Sequence, residues 1–316
     1  MSALMIGPEA EQYLTWPGLC AALTAGHRLP RAEIGDTLLS RRSDVLLSRS
    51  AWIDGMGLAV KSATVFPGNA ATGKPAVNGA VNLYSDLTGE LEAIVDFHLV
   101  TKWKTAGDSL LAASLLARAD SRTILLVGAG TVAHAMVGAY RSRFAEARFA
   151  VWNRSPAAAE EMAREVPGVE VARDLAAAVA SADIICTATM ATEPLIRGDW
   201  LRPGTHLDLI GAYRPDMREV DDEALRRSRI FVDSRATTLH HIGELKDPLA
   251  RGVIGERDVV GDFYDIAAGG FARRTATEIT LAKNGGGAHL DLMVARYVMA
   301  AWQAAPGESN RGETWT

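Results

Sequence analysis

Apolar and polar positions follow one rhythm before about Ser121 and another after it. Residues 9–29 place acidic and apolar positions at helical spacing and predict a first amphipathic helix, ended near "GHRLP". From 44 to 97 the apolar runs shorten to "DVLLSRSAWIDG", "GLAVKSATVF", "AVNGAVNLYSD" and "LEAIVDF", split by Gly, Pro, Asn and Asp. That pattern predicts a mostly antiparallel sheet. "TKWKTAGDSLLAASLLARA" then returns to the period of a helix.

After Ser121 short apolar runs alternate with helical segments. "TILLV" (123–127) leads through Gly128-Ala129-Gly130-Thr131-Val132-Ala133 into a helix to about Glu146. "RFAVW" (148–152), a helix over 156–165, "VEV", a helix over 174–181, "ADIICTAT" (182–189), "THLDLIG" (205–211) and "RIFVD" (229–233) continue the series. Strands alternating with helices predict an α/β fold with a parallel, doubly wound sheet of Rossmann type. "AHLDLMVARYVMAAWQ" closes the chain as an apolar-faced helix, and "PGESNRGETWT" behind it reads as a frayed tail.

The turn at Gly128 carries the first chemistry. It follows a strand and opens a helix within a run of βα units, the context that gives a glycine pattern meaning. Gly128 permits the tight turn, Gly130 lets backbone amides approach a pyrophosphate, and Ala133 allows close helix–strand packing. The helix start at Thr131 and Val132 offers unpaired N–H groups to phosphate oxygens. The second strand ends in Asn153-Arg154-Ser155, where a ribose-binding carboxylate is usual. An acid there would repel a 2′-phosphate, whereas a guanidinium and a hydroxyl donate to one. NADP(H) is therefore expected over NAD(H). Thr187, Ala188, Thr189, Ile210 and Gly211, at the ends of later strands, join the expected cofactor set.

Composition narrows the class without deciding it. The 316 residues are 48% hydrophobic and 22% charged, with a net charge of −5, so neither a nucleic acid nor an anionic membrane is the expected partner. No apolar run is long enough to span a bilayer, and "MSALMIGPEAEQ" lacks a basic n-region and an h-region, so a cytoplasmic protein is expected. Cys20 and Cys186 read as buried thiols. His240, His241, Glu244 and Asp247 read as a solvated helix, and no metal site is expected. Asp108 is read as an i,i+4 partner of Lys104.

Lys61 in "GLAVKSATVFPGN", together with "SDLTGELEAIVD", "LVTKWKTAGDS", "LLVGAGTVAHA", "VWNRS", "ATEPLIRGDWLRPGTH" and "IGAYRPDMREVDDE", resembles the ornithine cyclodeaminase/mu-crystallin family over about residues 50–300. The resemblance implies a substrate and dimerisation domain over 1–118 and 288–316, a Rossmann domain over 119–287 inserted in it, and a homodimer formed through the N-terminal sheets. It places the family's substrate-carboxylate lysine on Lys61 and a second carboxylate anchor on Lys104, where the family usually has arginine. An ammonium there is a point charge and not a bidentate fork. A third anchor falls among Arg41, Arg42 and Arg49. Trp52 and Asp54 match pocket-lining positions, with Asp54 and Tyr213 in the expected substrate set. Asn284 and Gly285 replace part of a turn near the nicotinamide.

Tyr213 also stands where cyclodeaminases carry an aspartate that activates the amine of ornithine. Its loss, with the mu-crystallin-like "TEPLIRGDWLRPG", implies an NAD(P)H-dependent reductase of α-imino acids such as Δ1-pyrroline-2-carboxylate, giving L-amino acids such as L-proline. Ornithine cyclodeamination, a non-enzymatic mu-crystallin-like ligand-binding role, and an amino-acid dehydrogenase are the alternatives.

Overall fold

The computed structural model describes residues 3–306, so residues 307–316, most of the expected frayed tail, lie outside the described residues. The chain divides into two compact units, one made of the residues up to Lys104 and those from Gly287 onward, the other Thr105–Gly286. The division falls within a helix that sequence reading had placed before a boundary at 118/119.

The first unit is built on a six-stranded sheet of β1 (Leu4–Ile6), β2 (Glu33–Arg41), β3 (Asp44–Ile53), β4 (Gly57–Val65), β5 (Val77–Tyr84) and β6 (Leu91–Asp96), in the order β1-β6-β5-β4-β3-β2. β1 runs parallel to β6, and the other neighbours are antiparallel. The single helix expected over 9–29 is instead a 3-10 turn, Pro8–Tyr13, followed by α1 (Trp16–Gly26). Thr15 caps α1 by accepting from Gly18 N, and Pro17 sits in its first turn, which makes Trp16 a start and not a midpoint.

Helix α2 (Phe97–Leu116) follows β6, and α9 (Ala288–Ala304) packs against β3–β6 and α1. Period-two alternation on β4 buries Gly57, Ala59, Lys61 and Ala63 on one face, so a lysine lies among core residues. β2 escaped sequence reading because all nine of its residues are exposed, leaving no alternation of burial to read.

The second unit is an eight-stranded, wholly parallel sheet of β7 (Thr123–Val127), β8 (Arg148–Trp152), β9 (Val169–Val171), β10 (Ile184–Thr187), β11 (His206–Leu209), β12 (Ser228–Val232), β13 (Val259–Gly261) and β14 (Ile279–Lys283). The order is β13-β12-β14-β11-β10-β7-β8-β9. From β9 to β14 this is the doubly wound 3-2-1-4-5-6 arrangement, with two strands added at one edge. The crossover helices include α3 (Thr131–Arg143), α4 (Pro156–Glu165), α5 (Leu175–Ser181) and α6 (Asp222–Arg227), and α7 (Arg235–Thr238) and α8 (Gly243–Ala250) follow β12.

β14 was not expected. It is completely buried between β11 and β12, ends in a lysine, and follows irregular backbone in place of a long crossover helix. No helix among the described residues is long and apolar enough to cross a membrane.

Candidate active site

Lys61 is 7% exposed and points from β4 toward α2 and α9. Its Nζ donates to Thr101 Oγ1 and to Asp291 Oδ1, each at 2.8 Å, and lies 4.7 Å from the centre of the Phe97 ring. Burial pulls the Lys61 pKa down, Asp291 opposes that fall, and the positive charges of Lys104 and Arg49 add to it. Asp291, 1% exposed, would be raised by burial, but Lys61, Lys104 and Arg49 hold its carboxyl below the usual range. At 2.8 Å, Nζ and Oδ1 stand at ion-pair distance.

Of the three arginines left open as a third anchor, Arg49 is the one in this cluster. It lies directly opposite Lys61 in the β3–β4 ladder, which puts both side chains on one face. Asp36 on β2 holds its guanidinium through bonds of 2.9–3.2 Å. Arg41 is exposed and paired with Asp44, and Arg42 occupies the β2–β3 turn at φ 56°.

The cluster also contains a histidine. His289 is completely buried beside His27, with ring centres 5.7 Å apart, and burial pushes its pKa down to about 3, so it is neutral. Asp291 and His289 were missed by sequence reading, although polar side chains two residues apart in the apolar "AHLDLM" were a signal. Asp54 does not join the group: it is exposed in the β3–β4 turn, beyond the Ile53–Gly57 pair that closes the ladder four positions from the Arg49–Lys61 pair. Trp52, on the other face, is 48% exposed and donates to Asp86.

In the second unit Gly128, Ala129, Gly130, Asn153, Arg154, Ser155, Ala188 and Thr189 line one cleft of about 380 Å³. Gly128 has φ +110°, and a Cβ there would stand 2.5 Å from the Ala188 carbonyl oxygen, so this turn admits only glycine. Gly130 differs: a Cβ built on it meets nothing within 4 Å. It is the N-cap of α3 and supplies no side-chain cap, so the amides of that first turn face open space. Thr131 and Val132 are exposed there.

Asn153 is held by a bond from Nδ2 to the Ser155 carbonyl, while Arg154 is exposed and forms no ion pair among the described residues. A pyrophosphate fits the open cradle at Gly130, and a phosphate on the ribose fits the Arg154–Ser155 edge.

Buried carboxylates tie down the loops around this cleft. Glu219 accepts from Thr189 N and Oγ1, Gly211 N and Ala212 N at 2.7–3.1 Å. Glu244, expected on a solvated helix, is instead completely buried and accepts from the amides of Glu219 and Val220. Burial and the neighbouring Glu219 raise its pKa to about 7. Asp247 pairs with Arg218 and Arg251, His240 with Glu256, and no metal-holding group occurs among the described residues.

Thr187 is buried, and Ile210 and Gly211 are half-buried at the end of β11. Asn284 is buried and donates to Ser109 Oγ and Asp208 Oδ1, with Gly285 next to it against Thr238. Asp108 is completely buried, Cys186 is buried and Cys20 half-buried. Tyr213 is exposed, with Arg214 over its ring at 5.6 Å.

A doubly wound sheet with an open glycine turn, and a mixed-sheet unit with a buried lysine, define a two-unit α/β protein whose second unit has the Rossmann-type fold. The chain belongs to the ornithine cyclodeaminase/mu-crystallin family, whose family model matches residues 47–305. It is 51% identical over 296 residues to a Δ1-pyrroline-2-carboxylate reductase of Paracoccus denitrificans, across 92% of this chain and 94% of that protein. It is 32% identical over 248 residues to the ketimine reductase mu-crystallin of Mus musculus, across 78% and 77% of the two chains. Among solved structures, Δ1-pyrroline-2-carboxylate reductase of Thermococcus litoralis, in complex with NADH and L-proline, superposes with a TM-score of 0.84 at 26% identity, across 94% of this chain and 97% of that one.

Proposed function

We propose that this protein is an NAD(P)H-dependent reductase of cyclic α-imino acids, with Δ1-pyrroline-2-carboxylate as substrate and L-proline as product. The observation that carries the reading is the Lys61 cluster. Lys61 pairs with one buried carboxylate, Asp291, which also feels the positive charges of Lys104 and Arg49, and Asp36 holds Arg49, so three cations are set against two carboxylates and positive charge is left for a carboxylate-bearing ligand. The 51% identity to a reductase of that substrate supports the same choice.

The bound dinucleotide supplies the hydride that reduces the imine carbon. Lys104 and Arg49 attract the substrate carboxylate, and Lys61 completes that clamp. Lys61, or a water it holds, gives a proton to the imine nitrogen and regains one from solvent. The position of Tyr213 supplies no carboxylate to activate an amine, which disfavours cyclodeamination.

The purified protein is expected to oxidise NADPH when given Δ1-pyrroline-2-carboxylate and to release little ammonia from ornithine, with or without NAD⁺. Ornithine-dependent ammonia release faster than imine reduction overturns the reductase reading.

NADP(H) is the preferred cofactor in this proposal, supported by Arg154 at the edge of the glycine cleft, exposed and in no ion pair among the described residues. Arg154→Ala is expected to raise the KM for NADPH roughly tens-fold or more, the scale of a lost hydrogen bond to a charged group, with little change for NADH. Equal effects on both cofactors in steady-state kinetics remove the argument. The exposed apolar edge strand β2, where Leu38 is 62% and Leu39 60% exposed, supports a homodimer through the first unit's sheet. Sedimentation as a monomer at micromolar concentration contradicts that assembly.

A further inference from the structure

We propose that Asp291 is a positioning residue for the reduction, holding the Lys61 ammonium at a fixed point and keeping its proton on; this rests on the reductase reading above. Lysine is a long side chain with much rotamer freedom, and a clamp made from it is loose unless something restrains its end. Here two elements do so at once. Thr101 on α2 and Asp291 on α9 each accept one ammonium hydrogen at 2.8 Å, and the Phe97 ring centre lies 4.7 Å from the same nitrogen. An ammonium has three hydrogens, so one is left for a ligand.

Asp291 sits in the first turn of α9, where Leu290, Leu292, Met293 and Val294 are all buried. A carboxylate at that depth is costly without a partner. Its Oδ1 takes the Lys61 bond, and its Oδ2 accepts no hydrogen bond among the described residues. Among the described residues Lys61 is thus its one hydrogen-bond partner, and the pairing is the reason a charge can stay there.

The groups around Lys61 decide its proton. Arg49 from β3 and Lys104 from α2 are positive, Thr101 and the Phe97 ring are neutral, and from α9 come Asp291 and neutral His289, with His27, the C-cap of α1, against His289. Burial and both cations work to strip the proton, and Asp291 is the group that opposes them. A neutral amine at Lys61 would neither anchor a carboxylate nor give a proton to an imine nitrogen.

The test compares Asp291→Asn with the wild type by two readouts. The first needs no turnover: the pH dependence of Lys61 acetylation by acetic anhydride, followed by mass spectrometry on the full chain, since only the unprotonated amine reacts. Lys61 deprotonates at lower pH without the carboxylate, so the onset of labelling is expected to move to lower pH in the Asn variant. The second is the pH profile of kcat/KM for Δ1-pyrroline-2-carboxylate. Its basic limb is expected to shift the same way, with kcat lowered about 10- to 100-fold, the scale for a misplaced reacting group, and with cofactor affinity unchanged.

Should the Asn variant not fold, Asp291→Glu keeps the charge but moves it. It is expected to label near the wild-type pH while turning over more slowly; wild-type kcat in Asp291→Glu overturns the positioning role. Identical labelling profiles for wild type and Asp291→Asn overturn the inference whatever the enzyme's substrate. A wild type that reduces no imine overturns the reductase reading separately, and the labelling still decides the Lys61–Asp291 link.

Discussion

Lys61→Ala is expected to lower kcat/KM for the cyclic imine by ~10²-fold or more, because one side chain both anchors the carboxylate and manages a proton. Stability must be separated from chemistry here. Removing one partner of a buried ion pair leaves the other charge unpaired, at a cost of roughly 3–5 kcal/mol. Asp291 would be that stranded charge, since among the described residues its hydrogen bond comes from Lys61. Lys61→Met combined with Asp291→Asn removes both charges and keeps the volumes, so it is expected to melt closer to wild type than Lys61→Ala while being equally inactive. Cofactor affinity, which the proposed site places on residues of the second unit, is expected to stay within a few-fold of wild type for both variants. Near-normal turnover by a folded Lys61 variant, measured by NADPH absorbance, refutes the role given to this lysine.

How legible these features were in the sequence follows their range. The glycine turn is local: strand, turn and helix lie within residues 123–143, so the pattern can be read in one short stretch. Gly128 does have the positive φ expected of a tight turn, and Gly130 does face open space. Arg154 belongs to the next strand end and could be read against the same template.

The partner of Lys61 is of another kind. Asp291 lies 230 positions away on the closing helix, and no periodicity links a strand lysine to a helix aspartate across that distance. The resemblance to a family pointed to Lys61 and left Asp291 silent. Likewise it offered three arginines, and the pairing of β3 with β4 puts Arg49 opposite Lys61.

Glu244 shows why polar sequence misleads. In "HHIGELKD" it reads as one charge on a wet helix, yet it serves two backbone amides in the interior. Buried backbone donors must be satisfied, and a loop that lacks a strand or helix partner takes a side chain. The demand arises from Glu219 and Val220, so it is invisible in the residues around Glu244. β14 was hidden in the same way, because its neighbours in the sheet, β11 and β12, are distant in sequence, and burial on both faces removes the alternation that marks a strand.

Gly130→Val is expected to abolish binding of either dinucleotide while leaving the fold intact. The two glycines of the turn make the contrast. At Gly128 a side chain would meet the Ala188 carbonyl at 2.5 Å with φ at +110°, so substitution there strains the protein itself. At Gly130 the backbone is extended, with φ −89° and ψ −176°, a conformation that valine favours, and no protein atom lies within 4 Å of the new Cβ. The loss of a glycine N-cap costs α3 at most about 1 kcal/mol, a shift of a few degrees in Tm for a chain of this size. The isopropyl group then occupies the space in front of the uncapped amides of α3, where a pyrophosphate must approach. A fluorescence titration with NADPH and with NADH, run beside a thermal melt, reads both quantities on one sample. A folded Gly130→Val protein that binds either cofactor within a few-fold of wild type would place the dinucleotide elsewhere and remove the glycine turn from the proposed site.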